Sequence, residues 1–180
     1  DSNNKNWLVT GGAGFIGSNI IERLLLKKQA VVCLDNLSTG NKNNIKDVIE
    51  SVALKLNVRT SLVKKNFQFI KGDIRSVKNC QKAFKNKVDF VLHQAALGSV
   101  PRSFIDPLST HDVNVNGFLN IYRSAALNKV SRFVFASSSS VYGDIKDSPK
   151  REDRLGNVSS PYALSKLINE MYIFQYYKIY

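Results

Sequence analysis

The sequence predicts an α/β fold organised on a doubly wound parallel sheet. Three observations predict it. Short β-rich runs alternate with longer helical patterns, those runs are apolar on both faces, and a glycine-rich turn joins the first run to the first helix. The expected strands, in order, are Trp7–Thr10, Ala30–Asp35, Phe67–Lys71, Asp89–His93 and Arg132–Ser137. Val31-Val32-Cys33-Leu34 shows the pattern best, since a strand covered by helices on both sides has no polar face. Helical periodicity fills the gaps at Phe15–Lys28, Ile45–Leu56, Val77–Asn86 and Leu108–Asn128. A last helix starts after Ser160-Pro161, where serine caps and proline fits the first turn. The charged, turn-rich stretch from Asp144 to Ser159 reads as a long loop.

The chain has 180 residues, 43% of them hydrophobic, which suffices for one sizeable core. Two cysteines cannot make a disulfide framework or a four-cysteine zinc site. Cys33 falls in an apolar strand and Cys80 on a helix, so both read as small core residues. His93 closes a strand and His111 sits at a helix start, with no ligand-spaced cluster that would make a metal site. No apolar run approaches the ~18 residues of a membrane span. The polar start Asp1-Ser2-Asn3-Asn4-Lys5-Asn6 has no apolar signal core, so the default expectation is cytoplasmic. The run Gln175–Tyr180 carries no helix stop signal, and the reading is one dinucleotide-binding domain over residues 1–180, truncated at its C-terminus.

The formal net charge is +12. Residues 42–87 hold ten lysines and two arginines against Asp47, Glu50 and Asp73, a local +9. These charges are not interleaved with stacking aromatics, so a solvated surface is the first reading and a nucleic-acid partner is not favoured.

Gly11-Gly12-Ala13-Gly14-Phe15-Ile16-Gly17 follows the first strand and opens the first helix. Gly11, Gly14 and Gly17 permit a tight turn, close approach of a pyrophosphate, and close helix–sheet packing. The N–H groups around Phe15 and Ile16 then face the phosphates. Asp35 closes the next strand, where a carboxylate receives the adenosine ribose hydroxyls and repels a 2′-phosphate, favouring NAD over NADP. Asn36, Ser38, Thr39 and Gly40 follow and wrap the same ribose. Asp73 and Ile74 come after the third strand, with Asp73 placed to accept from the adenine amino group. Gln94, Ala95 and Ala96 follow the fourth strand with small side chains. Each contact falls at a strand's carboxyl end, where open α/β sheets bind ligands.

Tyr162-Ala163-Leu164-Ser165-Lys166 sets a phenol and an ammonium four residues apart, on one face of the last helix. The ammonium favours the phenolate that a general base needs. Ala136-Ser137-Ser138-Ser139-Ser140-Val141-Tyr142-Gly143 follows the fifth strand and offers a hydroxyl to a substrate oxygen.

With these residues the sequence resembles the extended short-chain dehydrogenase/reductase superfamily, whose dinucleotide domain is Rossmann-type. Within it, the sequence is similar to the bacterial UDP-N-acetylglucosamine 4-epimerases. His93–Ser103, Asp112–Gly117 and Ser137–Gly143 carry the likeness. The resemblance implies Ser138, Tyr162 and Lys166 as the catalytic trio, with Tyr162 and Lys166 also touching the cofactor. It implies Asn114 on the cofactor side, and Gly98, Ser99, Val100, Ser138, Ser139 and Tyr162 along the sugar pocket. It further implies a small C-terminal substrate lobe that the sequence lacks, and a homodimer pairing the helices at Leu108–Asn128 and Tyr162–Tyr180. The implied chemistry is transient oxidation at the sugar C4, rotation of the 4-keto sugar, and return of hydride to its other face. Related 4,6-dehydratases carry an Asp-Glu pair before Val-Tyr-Gly, and decarboxylases a Glu at the second position. Here Ser139 and Ser140 stand there, so simple 4-epimerisation remains, in a role such as polysaccharide biosynthesis. UDP-glucuronate and UDP-glucose are the rival substrates. A reading of another class, an NAD-loaded sensor or an RNA-associated protein, stays open beside the enzyme.

Overall fold

A computed structural model describes residues 4–179. Asp1, Ser2, Asn3 and Tyr180, assigned above to the polar start and the last helix, lie outside the described residues. In chain order the elements are β1 (Asn6–Thr10), α1 (Phe15–Leu26), β2 (Ala30–Asp35), α2 (Lys42–Leu56), α3 (Thr60–Lys64), β3 (Phe67–Lys71), α4 (Val77–Ala83) and β4 (Phe90–His93). There follow α5 (Val100–Ile105), α6 (Pro107–His111), a π-helical segment (Asp112–Gly117), α7 (Phe118–Leu127), β5 (Arg132–Phe135), a 3-10 turn (Ser139–Tyr142) and α8 (Pro161–Ile179).

The chain divides into two compact units. The first runs to Ala95 and takes in Asn120–Phe135; the second holds Ala96–Leu119 and the chain from Ala136 onward. In the first unit the strands form one parallel sheet in the order β3-β2-β1-β4-β5. Strand order reverses between β1 and β4, so the connections that leave their carboxyl ends part there and form the crevice where doubly wound sheets take ligands. Leu8 and Val9 on β1 point to opposite faces, and both are fully buried. That is the burial a strand covered on both sides requires. Ile21, Leu25, Val31, Cys33, Ile49 and Val52 pack with Val9 in one core cluster.

Local chemistry sets the helix ends. The Asn41 side chain accepts from Asn43 N and starts α2, which stops at Asn57 in the left-handed conformation. Ser76 caps α4 by accepting from Asn79 N. In the second unit Ser99 caps α5 and Asp106 caps α6, each followed by a proline in the first turn. Ser160 accepts from Ala163 N at 3.0 Å and, with Pro161, starts α8 as expected.

Three differences from the sequence reading have physical reasons. The single helix expected over Leu108–Asn128 is a run from Pro107 to Leu127 that widens to π geometry at Asp112–Gly117, which shifts the side-chain register midway. His111 accordingly ends α6 rather than starting a helix. β5 stops at Phe135 rather than Ser137, because the Ser138 hydroxyl accepts from Ser140 N and turns the chain into the 3-10 segment. The short helices α3 and α5 have too few residues for a periodic signal.

Cys33 and Cys80 are both fully buried, and burial pushes their thiols up, Cys80 to about 12. Among the described residues no His/Cys/Asp/Glu group can hold a metal ion, and no helix is long and apolar enough to cross a membrane.

Candidate functional site

The first unit carries a rim of backbone donors beside a buried carboxylate at the end of β2. Gly11 has φ +68°, which favours glycine, and a Cβ there would lie 2.6 Å from Ala95 N. A Cβ on Gly17 would lie 2.3 Å from the Gly11 carbonyl oxygen, so the helix sits too close to the turn for any side chain. Gly14 is the N-cap of α1 and gives no side-chain cap, and no acidic residue lies in the first turn. The positive end of the helix dipole is therefore left for an anion from outside. Phe15 and Ile16 are 83% and 58% exposed on that first turn.

Asp35 is buried at the end of β2. Its two oxygens accept from Ala13 N at 2.9 Å and Leu37 N at 2.7 Å, which ties the carboxylate to the glycine turn. The following loop folds back on the same turn. Asn41 N and the Asn44 amide donate to the Ala13 carbonyl at 3.0 and 2.8 Å, and a Cβ on Gly40 would meet the Ala13 backbone at 2.9 Å. Asn36 accepts from Ser38 N and donates to Asp73, while Ser38 and Thr39 are exposed. The Arg75 guanidinium clasps Asp73 through both carboxylate oxygens and, with the Arg75 and Asn36 N–H groups, pulls its pKa down to about 2. Ile74 is buried beside it. At the end of β4, Ala95 N donates to the Thr10 hydroxyl, which also bonds the buried His93 ring at 2.8 Å. Gln94 and Ala95 are half-buried on this edge.

Glycines without room for a side chain, an uncapped helix start and a buried carboxylate at the end of the neighbouring strand fit a dinucleotide. Sequence reasoning missed Thr10, Asn44 and Arg75, which hold the rim together. Thr10 and Asn44 act through partners 83 and 31 residues away, which no local spacing marks, while Arg75 bonds Asp73 two residues before it.

The second unit brings together residues around α8. Lys166 is only 4% exposed, and its ammonium donates to the Ala136 carbonyl at 2.8 Å. Burial pulls its pKa down to about 8. Tyr162 is half-buried one turn earlier on the same helix. Ser138 is half-buried, and its hydroxyl accepts from Ser140 N at 3.1 Å, while Ser139 is exposed. The Ser137 hydroxyl donates to Glu170.

A second stripe of α8 locks onto the π segment. The Asn114 amide donates to the Ser165 hydroxyl at 3.1 Å, Ser165 donates to the Tyr162 carbonyl at 2.7 Å, and the Asn169 amide donates to the Asn114 carbonyl at 2.9 Å. Asn114 also holds the Leu97 backbone by both polar groups, accepting from Leu97 N at 2.8 Å and donating to Leu97 O at 3.2 Å. Ala96, Gly98, Ser99 and Val100 flank that clamp; Gly98 is exposed, with open space where a side chain would be. Asn169 and Glu170 were not read from the sequence, since polar residues mid-helix carry no pattern.

The sequence pattern of the NAD dependent epimerase/dehydratase family matches residues 7–180. A UDP-glucose 4-epimerase of Neisseria meningitidis is 38% identical over 168 residues, covering 92% of this chain and 46% of its own. Among solved structures, a UDP-N-acetylglucosamine 4-epimerase from Methanobrevibacter ruminantium in complex with UDP-N-acetylmuramic acid superposes with a TM-score of 0.83 at 32% identity, over 97% of this chain and 51% of that one. A Thermus thermophilus UDP-glucose 4-epimerase complexed with NAD gives 0.82 at 35% identity, over 97% and 51%. The chain spans about half the length of the curated relatives it matches.

Proposed function

The chain belongs to the NAD-dependent epimerase/dehydratase family, and from that premise we propose that the whole protein interconverts UDP-N-acetylglucosamine and UDP-N-acetylgalactosamine by transient oxidation at C4. Residues 1–180 are, in this reading, its NAD-binding domain. The observation that carries the proposal is Lys166, a buried lysine one helical turn from Tyr162 and bonded to the strand exit that leads into Ser138.

NAD, when bound, supplies reversible hydride acceptance at the sugar C4. The glycine turn at Gly11, Gly14 and Gly17 would hold its pyrophosphate, and Asp35 its adenosine ribose. Asn36, Ser38, Thr39 and Gly40 line that ribose, Asp73 and Ile74 the adenine, and Gln94, Ala95, Ala96 and Asn114 the nicotinamide half. Tyr162 takes the proton of the 4-hydroxyl, directly or through Ser138, and returns it once the sugar has presented its other face. Lys166 favours the phenolate and grips the nicotinamide ribose. Gly98, Ser99, Val100 and Ser139 border the sugar. Ser139 and Ser140 supply neither acid nor base near neutral pH, which argues against elimination.

UDP-glucose is the second reading, favoured by relatives such as the Neisseria enzyme that carry that name. A homodimer fits α8, whose Met171, Phe174 and Tyr177 are each more than half exposed. A sugar-nucleotide panel on the full-length protein, without added NAD and read by chromatography, tests the function. The expected result is interconversion of the two N-acetylated sugars. Conversion of UDP-glucose alone moves the assignment to the second reading. Salt-sensitive RNA binding with no epimerisation replaces it altogether.

A further inference from the structure

Lys166 and Glu170 lie one turn apart on α8, and they bind two consecutive residues of the strand exit. Lys166 donates to the Ala136 carbonyl, and Glu170 accepts from the Ser137 hydroxyl. The next residue is Ser138. Its backbone is extended, and its hydroxyl accepts from Ser140 N. A two-point attachment fixes both the position and the rotation of a short segment, where one bond would leave a pivot. The Lys166 contact is to the main chain and leaves rotation about it free, so the Ser137–Glu170 bond supplies the second constraint.

We infer that Glu170 is a positioning residue: through Ser137 it sets the Ser138 hydroxyl relative to the α8 face that bears Tyr162 and Lys166. The inference rests on the reading that Ser138, Tyr162 and Lys166 carry the proton transfer. The carboxylate is on the helix itself, one turn beyond Lys166, so any tilt or slip of α8 moves the base and its hydroxyl partner together. The opposite stripe, Ser165 and Asn169 on Asn114, holds α8 to the π segment and does not reach the strand exit. Glu170 is the α8 side chain that hydrogen-bonds Ser137.

The test uses full-length protein carrying Ser137→Ala, Glu170→Ala, Glu170→Gln and the Ser137→Ala/Glu170→Ala pair. Misplacing a reacting group by about 1 Å costs on the order of 10- to 100-fold in rate, so kcat should fall by roughly that in either alanine variant. KM, bound NAD and the thermal midpoint should stay near native values, which separates positioning from unfolding. Glutamine keeps an acceptor for the Ser137 hydroxyl, and Glu170→Gln should retain kcat to within about threefold. The paired variant should lose no more than Glu170→Ala alone, because both changes delete one bond. Native kcat in Ser137→Ala and Glu170→Ala, or losses that simply multiply in the pair, overturns the inference. Ser137→Ala decides the matter if Glu170→Ala does not fold. Tyr162→Phe runs beside them. If it turns over at the native rate, the proton-transfer reading fails and this inference with it. If it is inactive while Ser137→Ala and Glu170→Ala are native, the inference alone falls.

Discussion

The Lys166 ammonium lies 2.8 Å from the Ala136 carbonyl oxygen with 4% of the residue exposed, a buried cation bonded to a neutral acceptor. Desolvation is the cause of its lowered pKa, and no carboxylate offsets it. Burial without a counter-ion costs stability, which supports the proposed role of this residue in chemistry rather than in packing.

That cost has a pH signature. The folded pKa of about 8 is below the ordinary lysine value of 10.5, so the unfolded chain binds the extra proton between those limits. Stability contributed by this group is lowest below about pH 8 and rises towards 10.5. The full effect is on the order of 3 kcal/mol. Lys166→Met should raise the melting temperature of cofactor-free protein at pH 7 and abolish that rise. An unchanged alkaline slope in calorimetry would show that the titrating group is elsewhere.

Tyr162→Phe removes one oxygen from a half-buried side chain and should leave the fold and bound NAD in place. General acid–base groups contribute about 10²- to 10⁴-fold, so kcat should fall in that range. Stopped turnover with NAD retained, measured after acid release of the nucleotide, is the expected pair of results.

Gly17→Ala should fail differently. The new methyl meets the Gly11 carbonyl oxygen at 2.3 Å, and that oxygen is main chain in a turn that also accepts from Gly14 N. The clash should cost about 1–3 kcal/mol or more and open the turn proposed to hold the pyrophosphate. Bound NAD should drop with the melting temperature. Full NAD occupancy would place the pyrophosphate elsewhere.

Asp73 gives an acid-side counterpart. The Arg75 guanidinium holds its folded pKa at about 2 against the ordinary aspartate value of 3.8, so its stabilisation is present above 3.8 and lost as pH falls towards 2. Arg75 is 43% exposed, and solvent screening reduces the contribution to about 1 kcal/mol. Asp73→Asn should flatten the acid limb of the stability profile by that amount, as followed by urea titration at several pH values.

Much of this was legible in the sequence where a local rule applies. β2 and β3 match their expected bounds because short β-rich runs, each ended by a polar residue, leave little choice of boundary, and β2 is apolar on both faces. The glycine turn was legible because close packing leaves no other residue type. The π segment at Asp112–Gly117 was not, since widening a helix by one residue changes register without changing composition. Nor was the burial of Lys166. A lysine four residues after a tyrosine reads the same whether its ammonium faces water or the Ala136 carbonyl. The Ser137–Glu170 and Thr10–His93 pairs, 33 and 83 residues apart in the chain, are products of tertiary structure alone.

The most direct measurement is the fate of deuterium placed at C4 of UDP-N-acetylglucosamine, turned over by the full-length protein in ordinary water without added NAD. Retention of the label at C4 in UDP-N-acetylgalactosamine is the predicted result, because hydride leaves and returns to the same carbon without meeting solvent. Washout of the label into water would contradict the account.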